Sequence, residues 1–155
     1  MEYNLDRFVL AQERDFYKAL LEIKNGSKCS HWMWYIFPQL KGLGHSAMSE
    51  FYGISDIDEA KKYLENDYLR GNLLRICNAL LYSDNSDVDK IFEYPDNLKL
   101  KSSMTLFDYV SEEGNIYSQI LDSFFNGERD VITMDLIYEY ENKLVGGVDG
   151  WKRRI

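Results

Sequence analysis

Residues 5–24 read LDRFVLAQERDFYKALLEIK, and this stretch sets the fold class. Leu5, Phe8, Val9, Phe16, Ala19, Leu20 and Ile23 recur at the three- and four-residue spacing of a helix with one apolar face. Asn25-Gly26 is a C-terminal stop. The same period returns further along the chain. Leu69, Leu73, Ile76, Cys77 and Leu80 share one face of a helix ending near Tyr82. Leu100, Ser103, Met104 and Phe107 make another stripe, and Ile116, Ile120 and Phe124 a third, halted by Asn126-Gly127. Asp130 can cap a last helix carrying Met134 and Ile137. Ser55 with Asp58, and Ser86 with Asp89, read as capping boxes, the first opening a helix to about Leu64. Asn66-Asp67 reads as a break and Pro95-Asp96-Asn97 as a turn. No period-2 segment flanked by hairpin turns stands out. The expectation is a mainly α protein: a single compact domain of about six to eight helices over residues 1–142, with at most one short strand or hairpin. Residues 143–155, glycine-rich and then basic, read as a flexible tail.

The 155 residues suit one domain, and 45% apolar with 28% charged side chains argues against disorder. No run approaches the roughly 20 apolar residues of a membrane span. The first residues lack the basic start and apolar core of a signal peptide. Cys29 and Cys77 form no CxxC pair, so neither a disulfide framework nor a cysteine zinc site is expected, and a reducing cytoplasm fits. No metal or cofactor is expected, since HExxH is absent and the two histidines have no nearby carboxylate.

Charge is most informative by position. The net charge of −8 disfavours duplex nucleic acid as a partner. Yet residues 23–49 contain no acid, and hold Lys24, Lys28, Lys41, His31 and His45. A second acid-free stretch, residues 97–107, carries Lys99 and Lys101. An anionic ligand belongs at these two stretches.

In the first, Ser30-His31-Trp32-Met33-Trp34-Tyr35-Ile36-Phe37-Pro38-Gln39 is apolar nearly all round, so its period cannot separate strand from buried helix. Ser30 could cap a short helix, and Pro38 must end or redirect it. Gly42-x-Gly44-x-Ser46 resembles a backbone nest opening a short helix through Tyr52, a combination that attracts anions. Lys28 and Lys41 would add charge, and Trp32, Trp34 and Phe37 would offer faces for a planar ring. The competing reading makes the aromatics core and the glycines a turn. In the second stretch Asp96, Lys99, Ser102, Ser103 and Thr105 would form another wall of the same pocket, or serve only in capping and helix–backbone bonds. Gln12 interrupts the first apolar stripe, either as a core amide bonded to backbone or as an amide aimed into a pocket. His31 has the titration range of a general acid or base. Asp130 favours the role of helix cap over that of catalytic acid.

Asp6-Arg7-Phe8 with Ala11-Gln12, the motif Ser30 to Gln39, Gly42-Leu43-Gly44 with Ser46, and Tyr94 to Phe107 together closely resemble the domain of unknown function 1810 family of small bacterial proteins, sometimes labelled "calpastatin". The resemblance spans roughly residues 3–137. The family pattern has His-Pro where this chain has Asn66-Asp67, Leu-Gly at Leu69-Arg70 and Ile-Phe-Gly at Ile91-Phe92-Glu93. The resemblance implies a compact helical domain and brings no established reaction. Calpastatin inhibitory segments are disordered, unlike this composition. A more distant similarity is to the NADAR family, implicated in ADP-ribose and NAD-linked nucleotide metabolism. Gln12 and the Lys99–Phe107 stretch occupy positions comparable to that family's early-helix glutamine and Lys-Phe helix.

The expected function is a cytoplasmic pocket for an anionic, ring-bearing small molecule related to ADP-ribose or NAD, and an N-glycosidic-bond hydrolase if the protein is an enzyme. His31 or Asp96 would then protonate the leaving base. Gln12, Lys28, Trp32, Trp34, Phe37, Gln39, Gly42, Gly44, Ser46, Lys99, Ser102 and Ser103 are the candidate ligand contacts. The alternative is a non-catalytic helical module for a nucleotide or a protein partner. A third reading places residues 32–37 wholly in the core and puts function on the acidic surface. The sequence leaves the oligomeric state open, and whether the two acid-free stretches meet.

Overall fold

The apolar stripe of residues 5–24 becomes helix α1, Asp6–Lys24, in a computed structural model that describes residues 2–83 and 87–145. Its buried face is Phe8, Ala11, Gln12, Phe16, Ala19, Leu20 and Ile23. Gly26 at φ +83° ends it, as the Asn25-Gly26 stop predicts.

The apolar run after α1 holds a single helical turn, α2, Met33–Ile36. Ser30 does not cap it: the N-cap position falls two residues later, at Trp32, and the Ser30 hydroxyl bonds to the Glu22 carboxylate instead. Beyond Pro38 the chain is pinned by one isolated parallel bridge, Leu40 to Ile54. Its bonds run from Lys41 N–H to Ile54 C=O and from Ile54 N–H to Gln39 C=O. This bridge stands in place of the expected strand or hairpin. Helix α3, Ala47–Tyr52, is capped by Ser46, whose Oγ accepts from Ser49 N–H.

Helix α4, Ile57–Glu65, is capped by Asp56 and not by Ser55. Asp56 accepts from Glu59 N–H, and the Glu59 carboxylate accepts in turn from Ser55 N–H. The register is one residue later than expected, because Ile57, Ala60 and Tyr63 must face the core together. Asn66 closes α4 and caps α5, Asp67–Leu81, so the break is a joint between two helices. Helix α6, Val88–Ile91, is a single turn capped by Asp87; Ser86 of the expected capping box lies outside the described residues. The expected turn at Pro95-Asp96-Asn97 is instead the start of α7, Asp96–Tyr109, after a cis Tyr94–Pro95 bond. Helix α8, Ile116–Phe125, ends at Asn126 and Gly127, both at positive φ. Asp130 caps α9, Val131–Val145, through Thr133 N–H.

The fold is all α, with nine helices and no sheet among the described residues. The number exceeds six to eight because α2 and α6 are single turns that leave little periodic signal. Helix α7 carries Leu100, Met104, Leu106 and Phe107 into the centre, where it packs on α8, α9 and α4. Helix α1 lies on α5 and α2. Helix α9 runs three residues past the expected boundary at 142; the remainder of the expected tail, residues 146–155, lies outside the described residues. None of the described helices is long and apolar enough to cross a membrane.

Candidate functional site

The two acid-free stretches meet. A groove of about 390 Å³ is lined by Gln39, Leu43, Gly44, His45, Ser46 and Ser49 on one side. Pro95, Leu98, Lys99 and Ser102, from the start of α7, form the other side, and Asp130 and Ile132 close the end.

Local chemistry explains the first wall. The Leu40–Ile54 bridge holds the root of the loop, and Gly42 turns it at φ +104°, a conformation that favours glycine. Gly44 has an ordinary φ, and its need is spatial. A Cβ there would lie 2.5 Å from Ser49 Oγ and 2.9 Å from Ser49 Cβ. Without that Cβ, Ser46 Oγ–H reaches Ser49 Oγ at 3.0 Å, and two hydroxyls stand side by side in the groove.

The second wall is held by ion pairs. The buried Lys28 ammonium is 2.7 Å from Asp96 and donates to Ser30 C=O at 2.6 Å, which ties the 28–30 loop to the start of α7. Asp96 also lies 3.9 Å from the Lys99 ammonium, which sits 4.9 Å over the Trp34 ring. Asp130 caps α9 with Oδ2, accepting from Thr133 N–H and Oγ1–H, and its own N–H donates to Thr105 Oγ1. It is a helix cap that also lines the groove.

Glu22 fixes the aromatic segment from below. Its Oε1 accepts from Cys29 N–H, Ser30 N–H and Trp32 Nε1–H at 2.7–2.9 Å. Desolvation pushes its pKa up. The Ser30 hydroxyl and the N–H donors outweigh that push and hold it down at about 2.

Of the expected ligand contacts, Gln39, Gly44, Ser46, Lys99 and Ser102 share the groove. Trp34 lies beside it, in a small annex of about 10 Å³ with Gln39, Ser49, Tyr52 and Gly53. The others lie elsewhere. Gln12 is 2% exposed; its amide donates to Tyr35 C=O and Tyr63 Oη and accepts from Asn72, so it is the core amide of the first reading. Trp32 and Phe37 are each 1% exposed and pack on Phe92, which leaves no face for a ligand ring. Ser103 is buried on the core side of α7. Gly42 shapes the loop without lining the groove, its missing Cβ facing Leu136. Lys28 and Asp96 serve each other. His31 is exposed and outside the groove lining. Neither His31 nor Asp96, the two alternative acids, lines the groove.

Sequence reasoning passed over Leu43, Ser49, Pro95, Leu98 and Ile132 as groove residues. It noted His45 without assigning it a role. The Ser46–Ser49 spacing is a readable cap signal that could have found Ser49. Ile132 is 61% exposed one residue inside a helix start, and nothing in the period marks it.

Residues 2–137 match the family described as "Protein of unknown function (DUF1810)". The chain belongs to this family. The solved structure of the conserved hypothetical protein Rv1873 from Mycobacterium tuberculosis is similar to it, at 38% identity and a TM-score of 0.83. That similarity covers 86% of this chain and 95% of the mycobacterial one. No curated protein matches the chain. The family and the shared structure support the fold and leave the ligand to be argued from the groove.

Proposed function

We propose that this member of the DUF1810 family binds an anionic, ring-bearing small molecule in the groove between the 39–49 segment and the start of α7. The observation that carries the reading is the meeting there of the two acid-free stretches in a chain of net charge −8. Lys99 supplies charge, and the Ser46 and Ser49 hydroxyls supply hydrogen bonds. Because Trp32 and Phe37 are committed to the core, the ring rests on Leu43, Pro95, Leu98 and Ile132 instead. The groove volume falls in the usual 300–1,000 Å³ range of small-molecule sites. ADP-ribose is the first candidate, from the distant NADAR similarity. The free thiols of Cys29 and Cys77 suit a reducing cytoplasm.

Cleavage of an N-glycosidic bond is the reaction class that suits such a ligand. With His31 and Asp96 outside the groove lining and the Asp130 carboxylate engaged in capping α9, His45 is its candidate acid.

A thermal-shift series at low salt tests the binding claim, with ADP-ribose, NAD, AMP, GMP, ribose 5-phosphate and inorganic phosphate. Binding to the native state raises the melting temperature by mass action. A rise with ADP-ribose and none with phosphate supports a nucleotide site. No rise with any probe at millimolar concentration favours the second reading, a protein-interaction module. That reading has one observation on its side: Leu10, Tyr17 and Leu21 of α1 are all more than half exposed.

A further inference from the structure

The outer face of α1 carries an apolar stripe that the core does not use. Leu10, Tyr17 and Leu21 are 67%, 71% and 59% exposed. Their spacing, seven residues and then four, sets them on one side of the helix over a length of about 16 Å. Glu13, Arg14 and Lys18 flank the stripe and are exposed too. The charges of α1 are ordered along it. Arg7, Arg14 and Glu22 are engaged within the chain, with Glu59, Asp15 and the 29–32 segment. Asp6, Glu13, Lys18 and Lys24 are exposed and enter no ion pair among the described residues. The unengaged acids thus lie in the first half of the helix and the unengaged bases in the second. The helix dipole favours that order at the two ends only; Glu13 and Lys18, near the middle, lie beyond its reach.

We propose that this face of α1 binds the same face of a second copy of the chain, with the two helices antiparallel across a two-fold axis. A two-fold interface must be complementary to itself, and this stripe is. Antiparallel pairing centred between Asp15 and Phe16 sets Leu10 against Leu21 of the second copy, and Arg14 against its Tyr17. Each contact occurs twice. The Arg14 side chain, 64% exposed, then has a tyrosine ring to lie over. The same arrangement carries the acidic half of each helix over the basic half of the other. A parallel pairing would instead set Arg14 beside Arg14 and bring the two acidic ends together. One helix face is smaller than a standard interface, so the association is weak and concentration-dependent. No residue of α1 lines the groove, so this inference stands apart from the ligand reading.

Sedimentation equilibrium of the full chain at low salt, from low micromolar to near-millimolar concentration, tests the proposal. The wild-type mass is expected to rise from 18.3 kDa towards twice that value. Leu21→Glu is expected to stay at the mass of one chain. Its urea midpoint at low concentration is unchanged, because Leu21 is mostly exposed in the single chain. Asp6→Lys and Lys24→Asp each weaken association by about three- to tenfold, and the double variant restores it. A wild type that keeps the mass of one chain throughout overturns the proposal, as does a dimer that Leu21→Glu leaves intact. A double variant that fails to restore association overturns the antiparallel pairing. None of these outcomes touches the groove reading, which the titration of ADP-ribose reads separately.

Discussion

At the residue scale, Glu22 shows how one side chain shapes the region under the site. A single carboxylate oxygen takes three N–H groups from residues 29, 30 and 32, a segment with no regular structure to satisfy them. Its pKa in the fold, about 2, lies below its ordinary 4.5. The sign follows. The stabilisation is complete above pH 4.5 and drains away as pH falls towards 2. Glu22→Gln keeps an acceptor oxygen and loses the charge. We expect it to cost about 1–2 kcal/mol at neutral pH, and to flatten the fall of stability between pH 4.5 and 2. Urea unfolding at a series of pH values measures both; an unchanged slope would remove Glu22 from this role. None of this was legible in the sequence. Glu22 sits on the polar side of a clear helical stripe, and its partners lie in a run whose uniform apolarity hides any local bond. Gln12 was half legible. A polar residue in an apolar stripe must find partners, but the stripe cannot say whether those are backbone or ligand. Tyr35 C=O, Tyr63 and Asn72 decide it.

At the scale of elements, the sequence yields what hydrophobic contrast encodes. Helices α1, α5, α7 and α8 were readable because apolar and polar positions alternate at helical period against stop signals such as Asn126-Gly127. Contrast fails at Ser30–Gln39, where nearly every position is apolar, and that segment becomes one helical turn that leads into the isolated bridge at Leu40. The cap of α4 lies one residue after the Ser55 that the spacing predicts. Both Ser55 and Asp56 are good caps, and only burial of Ile57, Ala60 and Tyr63 selects between them. The distinction is measurable. Asp56→Ala loses the cap to Glu59 N–H and the bond from Tyr3 Oη, and should cost about 1–2 kcal/mol in urea unfolding. Ser55→Ala, whose backbone N–H keeps its bond to Glu59, should stay within about 0.5 kcal/mol of wild type. A larger loss in Ser55→Ala than in Asp56→Ala would place the cap at Ser55.

At the scale of the whole molecule, the site exists because helices distant in sequence converge. The 39–49 segment, the start of α7 and the start of α9 meet across about ninety residues of chain. The charge pattern pointed to the first two, since acid-free stretches in an acidic chain stand out. Nothing in the pattern pointed to Asp130 and Ile132, which enter only through tertiary packing. The same packing separates His31 from the groove, although it lies between two residues of a motif that otherwise reads as one unit. That separation makes Lys99 and His31 a matched pair of probes. The most direct test of the account is calorimetric titration of ADP-ribose at low salt into wild type, Lys99→Ala and His31→Ala. The groove reading predicts saturable binding to wild type, binding at least about tenfold weaker in Lys99→Ala, and unchanged binding in His31→Ala. Equal affinity in wild type and Lys99→Ala, with a loss in His31→Ala, would place the site elsewhere and contradict it.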